Sequence, residues 1–138
     1  MKTVARFIAL PVLMVGAWVA SSYASLYWVG LLFPVVLPRP YIEMVTAEIV
    51  GAITAALVTA IPLARLYGRS AWMAGLVVSA PWIALRTSDL LQYWDKNEPR
   101  IVVMSWFELL LYPFVIAGAA HLLYRHRVQR LVSSAAPD

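Results

Sequence analysis

Four apolar runs, each about long enough to cross a lipid bilayer, are the feature of this sequence that most limits its fold. They lie at about residues 7–30, 41–64, 70–86 and 101–124. A helix needs about 20 predominantly apolar residues to cross the hydrocarbon layer. The sequence therefore predicts an all-α integral membrane protein, a four-helix transmembrane bundle in a single membrane domain over residues 1–138.

The composition agrees with a lipid environment. Hydrophobic residues make up 62% of the chain and charged residues 13%, whereas soluble domains carry about 25% charged residues. Cysteine is absent, which excludes disulfides and thiolate metal sites. The basic residues cluster beside apolar runs and do not alternate with aromatic residues, so we expect no nucleic-acid partner.

The first apolar run is longer than one span requires. It is free of charge from Phe7 to Pro38. We expect the membrane helix to end near residues 28–30, because Pro34, Pro38 and Pro40 interrupt a regular helix. The remainder is predicted to be an extended or interfacial connector.

A cleaved signal peptide is an alternative for the first 24 residues. Lys2 and Arg6 would form its basic region, residues 7–20 its apolar region, and Ser22-Tyr23-Ala24 its cleavage site. The apolar run continues well beyond Ala24, which favours a retained membrane helix.

Segment 87–100 separates the third and fourth runs. Thr87 or Ser88 can cap a short helix, and Leu90, Leu91 and Trp94 would give it an apolar side. We predict a short helix on the membrane surface between spans 3 and 4; an ordinary ordered loop is the alternative.

Lysine and arginine predict the orientation. Placing the N-terminus inside puts seven basic residues on the inner side: Lys2, Arg6, Arg65, Arg69, Arg125, Arg127 and Arg130. Four then lie on the outer side: Arg39, Arg86, Lys96 and Arg100. Because cytoplasmic loops are enriched in such residues, both termini are expected in the cytoplasm, with a tail at 125–138. We expect the membrane to be a bacterial cytoplasmic membrane.

Small residues recur at four-residue spacing in the apolar runs. The pairs that we predict to mediate helix packing are Gly16 with Ala20, Gly51 with Ala55, and Gly75 with Ser79. Such residues let membrane helices approach closely. They would build a compact bundle, and in the second span they could also contact a partner subunit.

Charged residues within or at the ends of the spans are the candidate site. Glu108 lies inside the fourth run and Glu48 inside the second, while Arg86 ends the third. Buried charges of this kind are costly in a membrane unless they are paired or wetted. The predicted polar network comprises Glu43, Glu48, Arg86, Ser105, Glu108 and Tyr112. It would serve either as a structural network or as an ion, proton or ligand site.

The sequence gives little support for a catalytic site or a metal site. His121 and His126 lie at the opposite end of the fourth span from the acids, so a Ser-His-Asp triad cannot form within one subunit. A hard-cation site would suit carboxylates such as Glu48, but no spacing specifies one. We predict no catalytic residue, metal or cofactor.

These observations predict a small, non-enzymatic accessory, assembly or immunity-type protein of the inner membrane. It would lie in the lipid bilayer and bind another membrane protein or form a homo-oligomer. One alternative is a small transporter or channel, coupled to protons or cations through Glu108 and Glu48. A second is a membrane enzyme acting on a lipid-linked substrate.

Overall fold

The computed structural model describes residues 2–32, 41–96 and 98–134, which are almost entirely helical and contain no strand. The α-helices are α1 Lys2–Leu32, α2 Tyr41–Tyr67, α3 Ala71–Val78, α4 Ala80–Tyr93 and α5 Pro99–Ser134. A 3₁₀ turn, Gly68–Ser70, joins α2 to α3.

Three helical stretches of this structure are long and apolar enough to cross a membrane. They are Val4–Leu31, Tyr41–Tyr93 and Pro99–Ser133. The expectation of an all-helical protein with membrane-spanning helices is therefore confirmed. The middle stretch contains α2, α3 and α4.

The chain reverses direction at Gly68, between α2 and α3. Gly68 has a φ of 56°, a left-handed conformation that glycine adopts without a Cβ clash. Before it, α2 runs in the same direction as α5, since Glu48 meets Tyr112 and Arg65 lines a cavity with Arg127.

After the reversal, α3 and α4 run antiparallel to α5. Gly75 of α3 lies against Ala117, whereas Arg86 of α4 pairs with Glu108. Thus positions later in α3 and α4 meet positions earlier in α5. This antiparallel arrangement carries Arg86 to the first half of α5.

A short interruption separates α3 from α4 at Ser79. Pro81 follows two residues later and lacks the N–H that would continue the helical bonding pattern. The Ser79 hydroxyl donates to the Leu76 carbonyl at 2.8 Å. Since α1, α2 and α5 continue through Pro11, Pro62 and Pro113, a proline alone does not set this break.

Helix α1 packs antiparallel to α2 and is tied to it at both ends. The Arg6 Nε donates to the Leu66 carbonyl at 2.7 Å, and the Tyr67 hydroxyl donates to the Arg6 carbonyl. Near the other end, the Ser25 hydroxyl donates to the Ala47 carbonyl at 2.9 Å. These contacts place Ser25 beside the half of α2 that carries Glu48.

The structure bears on three of the predicted segments. Residues 87–93 are the second half of α4 rather than a separate surface helix. The predicted tail is helical as far as Ser134, because α5 continues without a break. The first helix was expected to end near residues 28–30, whereas α1 continues to Leu32. The rest of the predicted connector, residues 33–40, lies outside the described residues.

Candidate functional site

An ion-paired arginine is at the centre of the candidate site. The Arg86 Nε donates to the Glu108 carboxylate at 2.5 Å, and its Nη1 donates to Asp89 at 2.7 Å. Asp89 is three residues after Arg86 on α4, so the two share a helix face. Glu108 is only 3% exposed, and this pairing offsets the cost of burying its charge.

A second polar pair joins α2 to α5. The Tyr112 hydroxyl donates to the Glu48 carboxylate at 2.7 Å. Tyr112 is 2% exposed. Glu108 and Tyr112 are four residues apart on α5, so the helix presents both on one face. The two polar pairs are therefore adjacent within the bundle.

Gly51 makes room for the Tyr112 hydroxyl. A Cβ at this position would lie 2.7 Å from the Tyr112 hydroxyl and 2.5 Å from the Ser25 hydroxyl. Both distances are shorter than a carbon–oxygen contact permits. Because Gly51 has no side chain, α1, α2 and α5 can meet beside Glu48.

Three neighbouring aromatic rings lie next to this polar cluster. The Trp82 and Tyr112 rings are stacked, with centroids 4.5 Å apart and an interplanar angle of 16°. The Trp18 ring lies 5.1 Å from Trp82 at 45°. Such offset arrangements are favourable for aromatic pairs. They bring α1, α4 and α5 together.

Two cavities adjoin the polar cluster. One, of about 380 Å³, is lined by Glu48, Arg86, Ser105 and Glu108 together with apolar side chains such as Met44. The other, of about 300 Å³, lies towards the aromatic rings. Residues shared by both linings are Ser25, Leu26, Glu48, Arg86 and Glu108. The cluster therefore borders enough empty space to hold a small solute.

Replacing Tyr112 by phenylalanine removes the hydroxyl that bonds Glu48. We expect this variant to lower the free energy of unfolding by about 1.5–3 kcal/mol, since it removes a hydrogen bond to a charged group. Unfolding in mixed detergent and sodium dodecyl sulfate micelles, followed by circular dichroism, would measure the loss. The matched control is Tyr23→Phe, because Tyr23 is 72% exposed. Equal stability of the two variants would contradict the Glu48–Tyr112 contact.

Most of the predicted polar residues come together in the structure. Glu48, Arg86, Ser105 and Glu108 line one cavity, and Tyr112 contacts Glu48. Glu43 is the exception. Glu43 is 7% exposed, and among the described residues only its backbone carbonyl takes part in a side-chain hydrogen bond, from the Thr46 hydroxyl.

The predicted packing residues divide into two groups. Gly51, Ala55, Gly75 and Ser79 are buried between helices. Gly16 is instead exposed, with open space where a Cβ would be, and Ala20 is half-buried.

The face of α1 that packs on the bundle is rotated by one residue from the predicted Gly16–Ala20 pair. Ala17 and Ser21, one position further along the chain, are buried instead. Both pairs have four-residue spacing, so sequence spacing could not distinguish the two faces.

Asp89 and the two tryptophans near Tyr112 were not among the residues predicted from the sequence. Asp89 was assigned to a surface segment, whereas α4 carries it next to Arg86. Trp18 and Trp82 meet only through the packing of α1 on α4. Their separation in the sequence carries no signal of this contact.

The described residues include no group of three or more histidine, cysteine, aspartate or glutamate side chains that could hold a metal ion. The site is instead an amphipathic cavity with paired charges. Comparison with known proteins found no matching family, no similar curated protein and no similar solved structure.

Proposed function

We propose that the protein is a small non-enzymatic accessory protein of the membrane that binds a transmembrane helix of another membrane protein. In this proposal the Tyr41–Tyr93 stretch crosses the membrane twice, so the bundle has four spans. The reversal at Gly68 and the antiparallel contacts of α3 and α4 with α5 support this topology. The basic end of the bundle would face the cytoplasm, as the positive-inside rule favours.

An apolar groove between α3 and α5 carries the proposal. It encloses about 530 Å³ and is lined by Trp72, Leu76, Pro113, Phe114, Ala117, Gly118 and His121. Nothing lies within 4 Å of the position that a Cβ would take at Gly118. Phe114 is exposed beside it. Small and large side chains thus form a depression and an adjoining ridge.

The shape and chemistry of this groove suit a helix. Membrane helices associate by close packing against small residues and by hydrogen bonds between polar side chains. Gly118 would admit a partner side chain, and His121 would offer a polar contact at one end of the groove. A lipid chain would use the depression but not the imidazole.

The charged cluster also supports an accessory role, because its polar groups bind one another. Arg86 is already engaged by Glu108 and Asp89, while Glu48 accepts a hydrogen bond from Tyr112. Below it, Trp82 stacks on Tyr112, and buried residues such as Leu63 and Ile116 continue the packed core. These contacts favour a structural network over a continuous path for ions.

Filling the groove is expected to abolish partner binding. In the Gly118→Leu variant, a leucine would occupy the space that the partner helix needs, whereas Gly30→Leu adds the same side chain at another open position. Tagged protein would be purified from its native membranes in mild detergent, and its complexes measured by mass and composition. We expect wild type and Gly30→Leu to retain a stoichiometric second membrane protein, and Gly118→Leu to lose at least nine-tenths of it.

Other outcomes would contradict the proposal. Retention of the partner by Gly118→Leu would place its contact elsewhere. Recovery of a second copy of this chain alone would make the protein a homo-oligomer. A crosslinked lipid, with no protein, at a photoreactive residue placed at Leu76 would make the groove a lipid site.

A second candidate function is a small transporter or channel for protons or cations. The cavity beside Glu48 and Glu108 favours it, because carboxylates within membrane spans often mark ion pathways. Flux into liposomes that contain only this purified protein would support transport and contradict the accessory function.

A further inference from the structure

A small basic cavity lies between α2 and α5, at the end of the bundle remote from Glu48. It encloses about 200 Å³ and is lined by Ile61, Ala64, Arg65, Leu123, His126, Arg127 and Arg130. Glu48 and Arg65 are 17 residues apart on α2, a distance of about 25 Å along a helix. The basic cavity is therefore separate from the candidate site described above.

The arginines at this cavity lack neutralising partners among the described residues. The ion pairs between described residues involve Arg86, at the other end of the bundle, and not Arg65, Arg127 or Arg130. The acids of the described chain lie at or near the other end of the helices: Glu43, Glu48, Asp89, Asp95, Glu98 and Glu108. Like charges repel one another, so a bound anion would stabilise this arrangement.

The helical geometry holds these charges in one place. Arg127 and Arg130 are three residues apart, and α5 remains helical through both, so they share a face. Arg65 approaches the same cavity from α2. Arginine binds phosphate oxygens with two parallel N–H donors.

The apolar residues of the lining indicate the second part of the ligand. Ile61, Ala64 and Leu123 form an apolar wall on the side of the cavity that continues into the membrane-spanning helices. A phosphate group next to an apolar chain is the chemistry of an anionic phospholipid. Basic pockets between membrane helices bind lipid headgroups of this kind.

We propose that this cavity is a specific binding site for the phosphate headgroup of an anionic membrane phospholipid, and that Arg65, Arg127 and Arg130 bind the phosphate. The site requires no protein partner and goes beyond the accessory function. Loss of lipid binding and loss of partner binding would be measured separately.

Lipid titration of the purified, delipidated full-length protein in detergent would test the site. The lipid-bound fraction would be followed by native mass spectrometry with phosphatidylglycerol, and with phosphatidylcholine as the zwitterionic comparison. We expect one phosphatidylglycerol to bind with at least tenfold higher affinity than phosphatidylcholine. The double variant Arg65→Gln/Arg127→Gln should lose about tenfold or more of that affinity, as two arginines near a headgroup would provide.

The matched control is the double variant Arg69→Gln/Arg125→Gln. It removes the same charge from the same end of the helices, but neither residue lines the cavity. We expect its affinity to remain within threefold of wild type. An equal loss in both double variants would show general surface attraction and overturn a specific site. Inorganic phosphate that competes at the same concentration as the lipid would make the ligand a soluble anion and overturn the lipid assignment.

Discussion

Alanine at position 75 is expected to destabilise the folded protein by about 1–3 kcal/mol, the usual cost of overpacking a tight interface. Gly75 lies against the backbone of α5, where an added Cβ would be 2.8 Å from the Ala117 Cα and 3.1 Å from its nitrogen. The contact is with backbone atoms, so rotation of a side chain cannot relieve it. Helices α3 and α5 would have to separate.

Gly118→Ala is the control for this experiment. It makes the same substitution one residue beyond Ala117, but a Cβ at Gly118 would have nothing within 4 Å. Alanine is favoured over glycine inside a helix by about 1 kcal/mol, so this variant should be as stable as wild type or more so. Unfolding of both variants in mixed micelles would be compared. A Gly75→Ala protein as stable as Gly118→Ala would rule out the close approach of α3 to α5.

Loss of the Arg86 charge is expected to cost about 3 kcal/mol, the lower end of the range for breaking a buried ion pair. Arg86→Met leaves the Glu108 carboxylate buried without its cationic partner. The lower end applies because the Arg86 side chain is 32% exposed, whereas that of Glu108 is 4% exposed. The change in the free energy of unfolding would be measured by following the folded fraction during titration with sodium dodecyl sulfate.

A second substitution separates a structural role from a chemical one. In Arg86→Met/Glu108→Gln, the buried charge is also removed, so we expect most of the lost stability to return. Lys96→Met provides a control for removing an exposed cation, since Lys96 lies over the Tyr93 ring at the surface. If the double variant remains as unstable as Arg86→Met, the ion pair does not explain the effect.

The cluster of polar residues could be predicted only in part. Glu48, Arg86 and Glu108 were recognisable individually, because charge within an apolar run is costly and rare. Their partners depend on how α2 and α4 pack against α5, which pairs Arg86 with Glu108 and Glu48 with Tyr112. Asp89 joined the cluster because α4 continues as one helix to Tyr93. The polar residues of segment 87–100 did not indicate that α4 continues into it.

The sequence by itself determined that the protein lies in lipid and that its structure is helical. Its long apolar runs require membrane helices, and charges at their ends predict an orientation, because both follow from the cost of placing polar groups in lipid. Only the tertiary structure decided which side of each helix faces its neighbours. Gly16 and Ala17 are adjacent in sequence, yet one is exposed and the other buried. In lipid both sides of a helix are apolar, so hydrophobic periodicity cannot mark the packed side, and contacts between distant residues determine it.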